Sequence, residues 1–108
     1  MKKMAGINLK ELTKRESPLT EGHRMCPGCG APTAVRQGLM AVEAPVVIVG
    51  ATGCFEVSTT VYPYSAWRVP FMHIAFENAG AGVSGVETAH RVLSRKGTVK
   101  EHITFVAV

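Results

Sequence analysis

Four β-branched residues stand in a row at Val46-Val47-Ile48-Val49, held between Pro45 and Gly50. A strand with one wet face alternates apolar and polar side chains. An unbroken run instead belongs to a strand covered on both faces, as in parallel sheets packed between helices. Phe71-Met72-His73-Ile74-Ala75-Phe76 reads as a second strand and His102-Ile103-Thr104-Phe105-Val106-Ala107-Val108 as a third. Between them, the spacing of Val35, Leu39, Met40 and Val42 predicts a helix of about 10 residues, starting at Pro32 or Thr33 and ending by Ala44-Pro45. The stretch from Asn78 to Lys96 is rich in small residues, among them Gly80, Gly82, Gly85 and Ala89, and predicts a helix lying close against a neighbour, with Gly97 as its cap. This alternation gives an α/β domain with a mostly parallel sheet, and in such sheets ligands bind beyond the carboxyl ends of the strands. Ala51-Thr52-Gly53-Cys54, the exit loop of the first strand, is therefore a candidate site. Because the chain closes on an apolar strand, a fold truncated after about three strands is expected.

A chain of 108 residues has room for one small domain. Its 46% apolar and 19% charged content is that of a chain that folds around a core, which excludes a disordered tail or a collagen-like repeat. The net charge of +4 is unevenly spread: residues 1–16 hold five Lys or Arg against two Glu, and the remaining 92 hold seven against six. The body is nearly neutral and has no basic face with interleaved aromatics, so no nucleic-acid partner is expected. No apolar run approaches the roughly 18 to 20 residues that span a bilayer, and the charged opening has no apolar signal core. A cytoplasmic protein without membrane contact is expected. Residues 1–22 read as a polar arm with one amphipathic turn around Ile7, Leu9 and Leu12, suited to wrapping or docking, and residues 23–108 as the α/β part.

The second informative feature is Cys26-Pro27-Gly28-Cys29, followed by Gly30-Ala31-Pro32. Prolines and glycines this close together forbid regular structure and force a tight loop that aims two sulfurs at one point. Cys54 supplies a third sulfur from the strand-exit loop. An odd set of three, two of them in Cys-x-x-Cys, points to metal or redox chemistry more than to a disulfide framework. Two inorganic readings stand side by side: an iron–sulfur cluster awaiting a fourth cysteine, or zinc completed by an imidazole such as His23. All eight acidic residues are Glu, and the chain has no Asp.

Four ordered blocks then carry a resemblance. Leu19-Thr20-Glu21-Gly22-His23-Arg24-Met25-Cys26-Pro27-Gly28-Cys29-Gly30, Gly50-Ala51-Thr52-Gly53-Cys54-Phe55-Glu56-Val57-Ser58-Thr59-Thr60, Tyr62-Pro63-Tyr64-Ser65-Ala66-Trp67 and Ala75-Phe76-Glu77-Asn78-Ala79 resemble the opening of the pyruvate:ferredoxin oxidoreductase (pyruvate synthase) β subunits. Relatives acting on 2-oxoisovalerate or other 2-oxo acids share the cysteine loop, but the Ala-Thr-Gly-Cys and Tyr-Pro-Tyr forms favour the pyruvate branch. The resemblance implies the N-terminal portion of a thiamine diphosphate-binding α/β domain over residues 23–108. It also implies oxidative decarboxylation of pyruvate to acetyl-CoA, with coenzyme A, ferredoxin and α-, γ- and δ-type subunits as partners. It implies Cys26, Cys29 and Cys54 as ligands of a [4Fe-4S] cluster, and Gly30, Ala31, Thr52, Gly53 and Cys54 as thiamine diphosphate contacts. No catalytic acid is implied here, because the acid that activates the aminopyrimidine comes from the partner α chain. The family's Mg2+ site, a Gly-Asp-Gly motif with a later Asn, and its fourth cluster cysteine have no counterpart in these 108 residues. The chain alone is expected to be inactive.

Other residues draw structural expectations. His23 is read as making a structural hydrogen bond, His73 as a satisfied core histidine, and Tyr62, Tyr64 and Trp67 as packing or subunit contacts. Glu56 and Glu77 are read as helix-terminus or ion-pair groups, and Gly80 to Gly85 as no phosphate cradle. The rival to the enzyme reading is a small non-catalytic zinc- or cluster-binding module using Cys26, Cys29, Cys54 and His23.

Overall fold

A computed structural model describes residues 8–108. The element order is α1 (Leu9–Leu12), α2 (Gly30–Met40), β1 (Val46–Ala51), α3 (Cys54–Thr59), β2 (Phe71–Ile74), α4 (Ala79–Arg95) and β3 (Thr104–Ala107). The three strands form one sheet in the order β2-β1-β3, with both pairings parallel. This is the α/β architecture with a parallel sheet that the sequence predicts, consistent with part of a thiamine diphosphate-binding type of fold. Among the described residues no helix is long and apolar enough to cross a membrane.

β1 is the middle strand, and its β-branched run has a physical reason: Ile48 and Val49 point to opposite faces and both are 0% exposed. On the Ile48 face lie Val46, Leu19, Leu39, Ala66 and Trp67, with Phe55 and Phe71 packed against them. On the Val49 face lies α4, so close that a Cβ on Gly82 would stand 2.8 Å from Ile74 Cδ1 and 2.9 Å from Val49 Cγ1. The expected tight packing of the small-residue helix is thus concentrated at Gly82, since a Cβ on Gly80 or Gly85 would meet nothing within 4 Å. Gly97, at φ 75°, follows the end of α4 as expected.

Trp67 anchors the Ile48 face. Its ring stacks on Phe71 at 5.0 Å, meets Phe55 edge-on at 5.7 Å, and donates its indole N–H to Thr59 Oγ1 at 3.0 Å. Burying an indole requires such a partner for its N–H. The arm docks into the same place. Thr20 N–H donates to the Ala66 carbonyl, Arg68 N–H donates to the Pro18 carbonyl, both at 2.8 Å, and Leu19 bridges antiparallel to Trp67. Arg15 fastens the arm to the end of α2 by donating to the Met40 carbonyl at 3.0 Å. Leu9 and Leu12 of the expected amphipathic turn lie in α1, while Ile7 lies outside the described residues.

Two sequence expectations change. α2 begins at Gly30, two residues before Pro32, because the first N–H groups of a helix have no intrahelical acceptor and Pro is tolerated there. The exit loop of β1 is shorter than expected, since Cys54 already opens α3.

The close approaches make a prediction. A Cβ on Gly50 would lie 2.3 Å from Phe71 Cζ. Gly50→Ala and Gly82→Ala should therefore each cost about 1–3 kcal/mol through overpacking. Gly85→Ala, in open space, should gain about 0.5–1 kcal/mol of helix propensity. Denaturant unfolding of the subunit checks the ranking, and equal effects at Gly82 and Gly85 would contradict this packing.

Candidate functional site

The cysteine loop is a β-turn. Cys29 N–H donates to the Cys26 carbonyl at 3.0 Å, Pro27 takes the second position and Gly28 the third with φ 80°, a left-handed conformation that favours glycine. Cys29 then caps α2, and Gly30 and Ala31 form the first turn of that helix. The loop and α2 line an open pocket of about 500 Å³ whose lining includes His23, Met25, Cys26, Cys29, Arg36 and Met40. His23 makes the structural hydrogen bond expected of it, its Nδ1 accepting from Met25 N–H at 3.4 Å.

Thr52, Gly53 and Cys54 sit elsewhere, where β1 ends between both neighbours. Thr52 N–H donates to the Ile74 carbonyl at 2.9 Å, and Ala51 N–H to the Val108 carbonyl at 3.0 Å. The chain leaves β1 toward β2 and returns across it to β3. The gap between β1 and β3 is therefore the switch point at which open α/β sheets bind ligands. The pocket does not include this loop, but the two regions are tied together by α3. Arg24 N–H, two residues before Cys26, donates to the Ser58 carbonyl at 2.8 Å, and Cys54 opens the same helix four residues earlier, a rise of about 6 Å.

His73 is not the buried core residue expected. It lies on edge strand β2 with its side chain 51% exposed, 2.6 Å from Thr52 Oγ1 and 3.6 Å from Glu56 Oε2. Glu56 is buried in the first turn of α3 and its Oε1 accepts from the Thr60 hydroxyl. Its expected role at a helix terminus holds. Trp67 is a core residue, whereas Tyr62 and Tyr64 stand out in solvent. The approach of His73 to Glu56 and Thr52 has no sequence signal of its own, although Thr52, Glu56 and Thr60 recur at intervals of four.

The donor chemistry differs among the groups the resemblance implies. Three free thiols, Cys26 and Cys54 exposed and Cys29 half-buried, suit a soft iron–sulfur or zinc centre. Among the described residues no three His, Cys or carboxylate groups converge on one point, so the turn and the β1 loop do not present an assembled cage. For thiamine diphosphate the fit is steric: a Cβ on Gly30 would meet nothing within 4 Å and one on Gly53 only the Ala51 carbonyl at 3.9 Å, leaving room for a ring to approach the backbone. For Mg2+ there is no fit, because a hard cation prefers carboxylate oxygen and among the described residues no group of three His, Cys or carboxylate side chains converges on one point.

No family model matches the chain. Individual proteins do, and together with the parallel α/β fold they place the chain in the family of 2-oxoacid:ferredoxin oxidoreductase β subunits. Pyruvate synthase subunit PorB of Thermotoga maritima is 50% identical over 103 residues, covering 88% of this chain and 32% of that subunit. The subunit of the same name from Methanocaldococcus jannaschii is 50% identical over 82 residues, covering 76% of this chain and 28% of its own length. Ketoisovalerate oxidoreductase subunit VorB of Pyrococcus abyssi is 37% identical over 75 residues, 69% of this chain and 24% of that subunit. The chain thus spans no more than about a third of the length of these curated relatives.

The exposure of the sulfurs makes a prediction for metal-free protein. All three thiols should react with a thiol reagent, Cys26 and Cys54 fast and Cys29 more slowly. Mass-spectrometric timing of the three adducts checks the order, and a Cys29 that reacts first would contradict the loop geometry.

Proposed function

We propose that this chain is part of the β subunit of a pyruvate synthase, contributing to oxidative decarboxylation of pyruvate to acetyl-CoA in the cytoplasm. The observation that carries the reading is the 40–52% identity to pyruvate synthase subunits across most of the chain, against 37% to the ketoisovalerate subunit. Coenzyme A and ferredoxin are the co-substrates of that reaction. Other subunits are the partners, and the exposure of Tyr62 at 93% and of Phe76 at 67% favours a chain that packs against neighbours.

In this reading Cys26, Cys29 and Cys54 hold a [4Fe-4S] cluster with a fourth ligand from outside these residues, and Gly30, Ala31, Thr52, Gly53 and Cys54 border thiamine diphosphate. Bound there, the thiamine group supplies an electron sink for decarboxylation and the cluster a one-electron outlet. The chain's own part is positional. The Pro27-Gly28 turn brackets the loop with Cys26 and Cys29, Gly53 leaves the backbone open to a ring, and α3 carries Cys54 at one end while its other end bonds the chain ahead of the turn. Mg2+ ligands come from outside this segment. The rival zinc module uses the same cysteines with His23 and is separated from this reading by metal content.

Purified anaerobically in its assembly, the subunit should contain iron and acid-labile sulfide in the ratio of the cluster. Cys54→Ser should remove most of both while Cys26 and Cys29 remain. The assembly should also reduce ferredoxin with pyruvate faster than with 2-oxoisovalerate. One zinc per chain without sulfide would support the module, and an undiminished cluster in Cys54→Ser would overturn the ligand assignment.

A further inference from the structure

Among the described residues, Glu56 Oε2 is a buried side-chain oxygen with no hydrogen-bond partner. Such an atom costs free energy and demands an explanation. The other oxygen of the same carboxylate accepts from the Thr60 hydroxyl, leaving Oε2 to face His73 Nε2 at 3.6 Å. That nitrogen also makes the 2.6 Å contact with Thr52 Oγ1. The neighbours decide which atom donates. Thr52 has a single hydroxyl hydrogen, and the Ile74 carbonyl stands 3.2 Å away to accept it. A bare lone pair on Nε2 would be repelled by the carboxylate oxygen of Glu56, whereas a hydrogen there is attracted. Both arguments assign the hydrogen to Nε2, with His73 donating into Thr52 Oγ1.

We propose that Glu56 and His73 are positioning residues for the Thr52-Gly53-Cys54 loop, Glu56 selecting the Nε2–H form of His73 and His73 turning the Thr52 hydroxyl so that it offers a ligand a lone pair. The inference rests on the reading of this loop as a thiamine diphosphate contact, and it adds the polarity of that contact. With its hydrogen spent on Ile74, Thr52 accepts from a ligand N–H and has nothing to donate to a phosphate oxygen. The aminopyrimidine amine, not the diphosphate, is then the part of the cofactor that suits this end of β1. The chain of control runs from a buried carboxylate through a half-exposed imidazole to a hydroxyl on the rim. This order explains why Glu56 is buried and His73 is not.

The test is equilibrium binding of thiamine diphosphate to the assembled enzyme freed of that cofactor, with thermal unfolding run alongside. His73→Ala should weaken binding about three- to tenfold, the value of one hydrogen bond. His73→Gln, which keeps a donor near the Nε2 position, should stay within about twofold of wild type. Adding His73→Ala to Thr52→Val should cost less than about twofold further, because the histidine acts through the hydroxyl. Glu56→Met should weaken binding in the wild type and leave His73→Ala unchanged. Wild-type affinity in His73→Ala, loss in His73→Gln equal to that in His73→Ala, or full additivity with Thr52→Val would each overturn the proposal while leaving the cofactor reading intact. A wild-type enzyme that binds no thiamine diphosphate would overturn that reading and this inference with it.

Discussion

β1 is hydrogen-bonded along both edges and covered on both faces, and everything else in the structure takes its position from that one strand. Its middle residues, Ile48 and Val49, lose all contact with water. Full burial of a side chain of this size is worth about 1.5–3 kcal/mol. Once both faces are committed, the neighbours have little freedom. Phe71 lies across Gly50, and α4 can reach Val49 because Gly82 has no Cβ. The end of β1 is then fixed between the ends of β2 and β3, which sets Thr52, Gly53 and Cys54 at the switch point.

α3, only six residues long, joins the core to the site. One end carries Cys54, the other accepts from Arg24 ahead of the cysteine turn, and Thr59 receives the indole N–H of Trp67. Glu56 leaves this helix for the rim of β1 and β2. A single short helix thus ties the hydrophobic core, the two sulfur-bearing loops and the Thr52–His73 contact to one another. The Pro27-Gly28 turn completes the arrangement, since only a residue that accepts φ 80° can close it.

The parallel sheet was legible because its signal is local: a β-branched run without polar alternation has few other uses. The long helix α4 and its glycine stop were legible for the same reason. α3 was not, because six residues including Val57 and Thr59 carry no full amphipathic period and have weak helix propensity. The docking of Leu19 onto Trp67 joins positions far apart in the chain, and no spacing rule connects them. His73 misled for a related reason. Apolar neighbours suggest burial, yet β2 is an edge strand whose His73 side is open, and the strand's place in the sheet depends on a crossover that local pattern does not encode. The three cysteines and the Thr52-Gly53 loop were legible as residues, whereas their separation into a pocket-lining pair and a strand-end residue required the fold.

We propose that the cysteine turn and the end of β1 serve one iron–sulfur centre. Anomalous diffraction from crystals of the anaerobic assembly, collected on either side of the iron and zinc absorption edges, tests it most directly. Iron density is expected within bonding distance of the sulfurs of Cys26, Cys29 and Cys54. Density at the zinc edge alone, or an iron centre beyond the reach of Cys54, would contradict it.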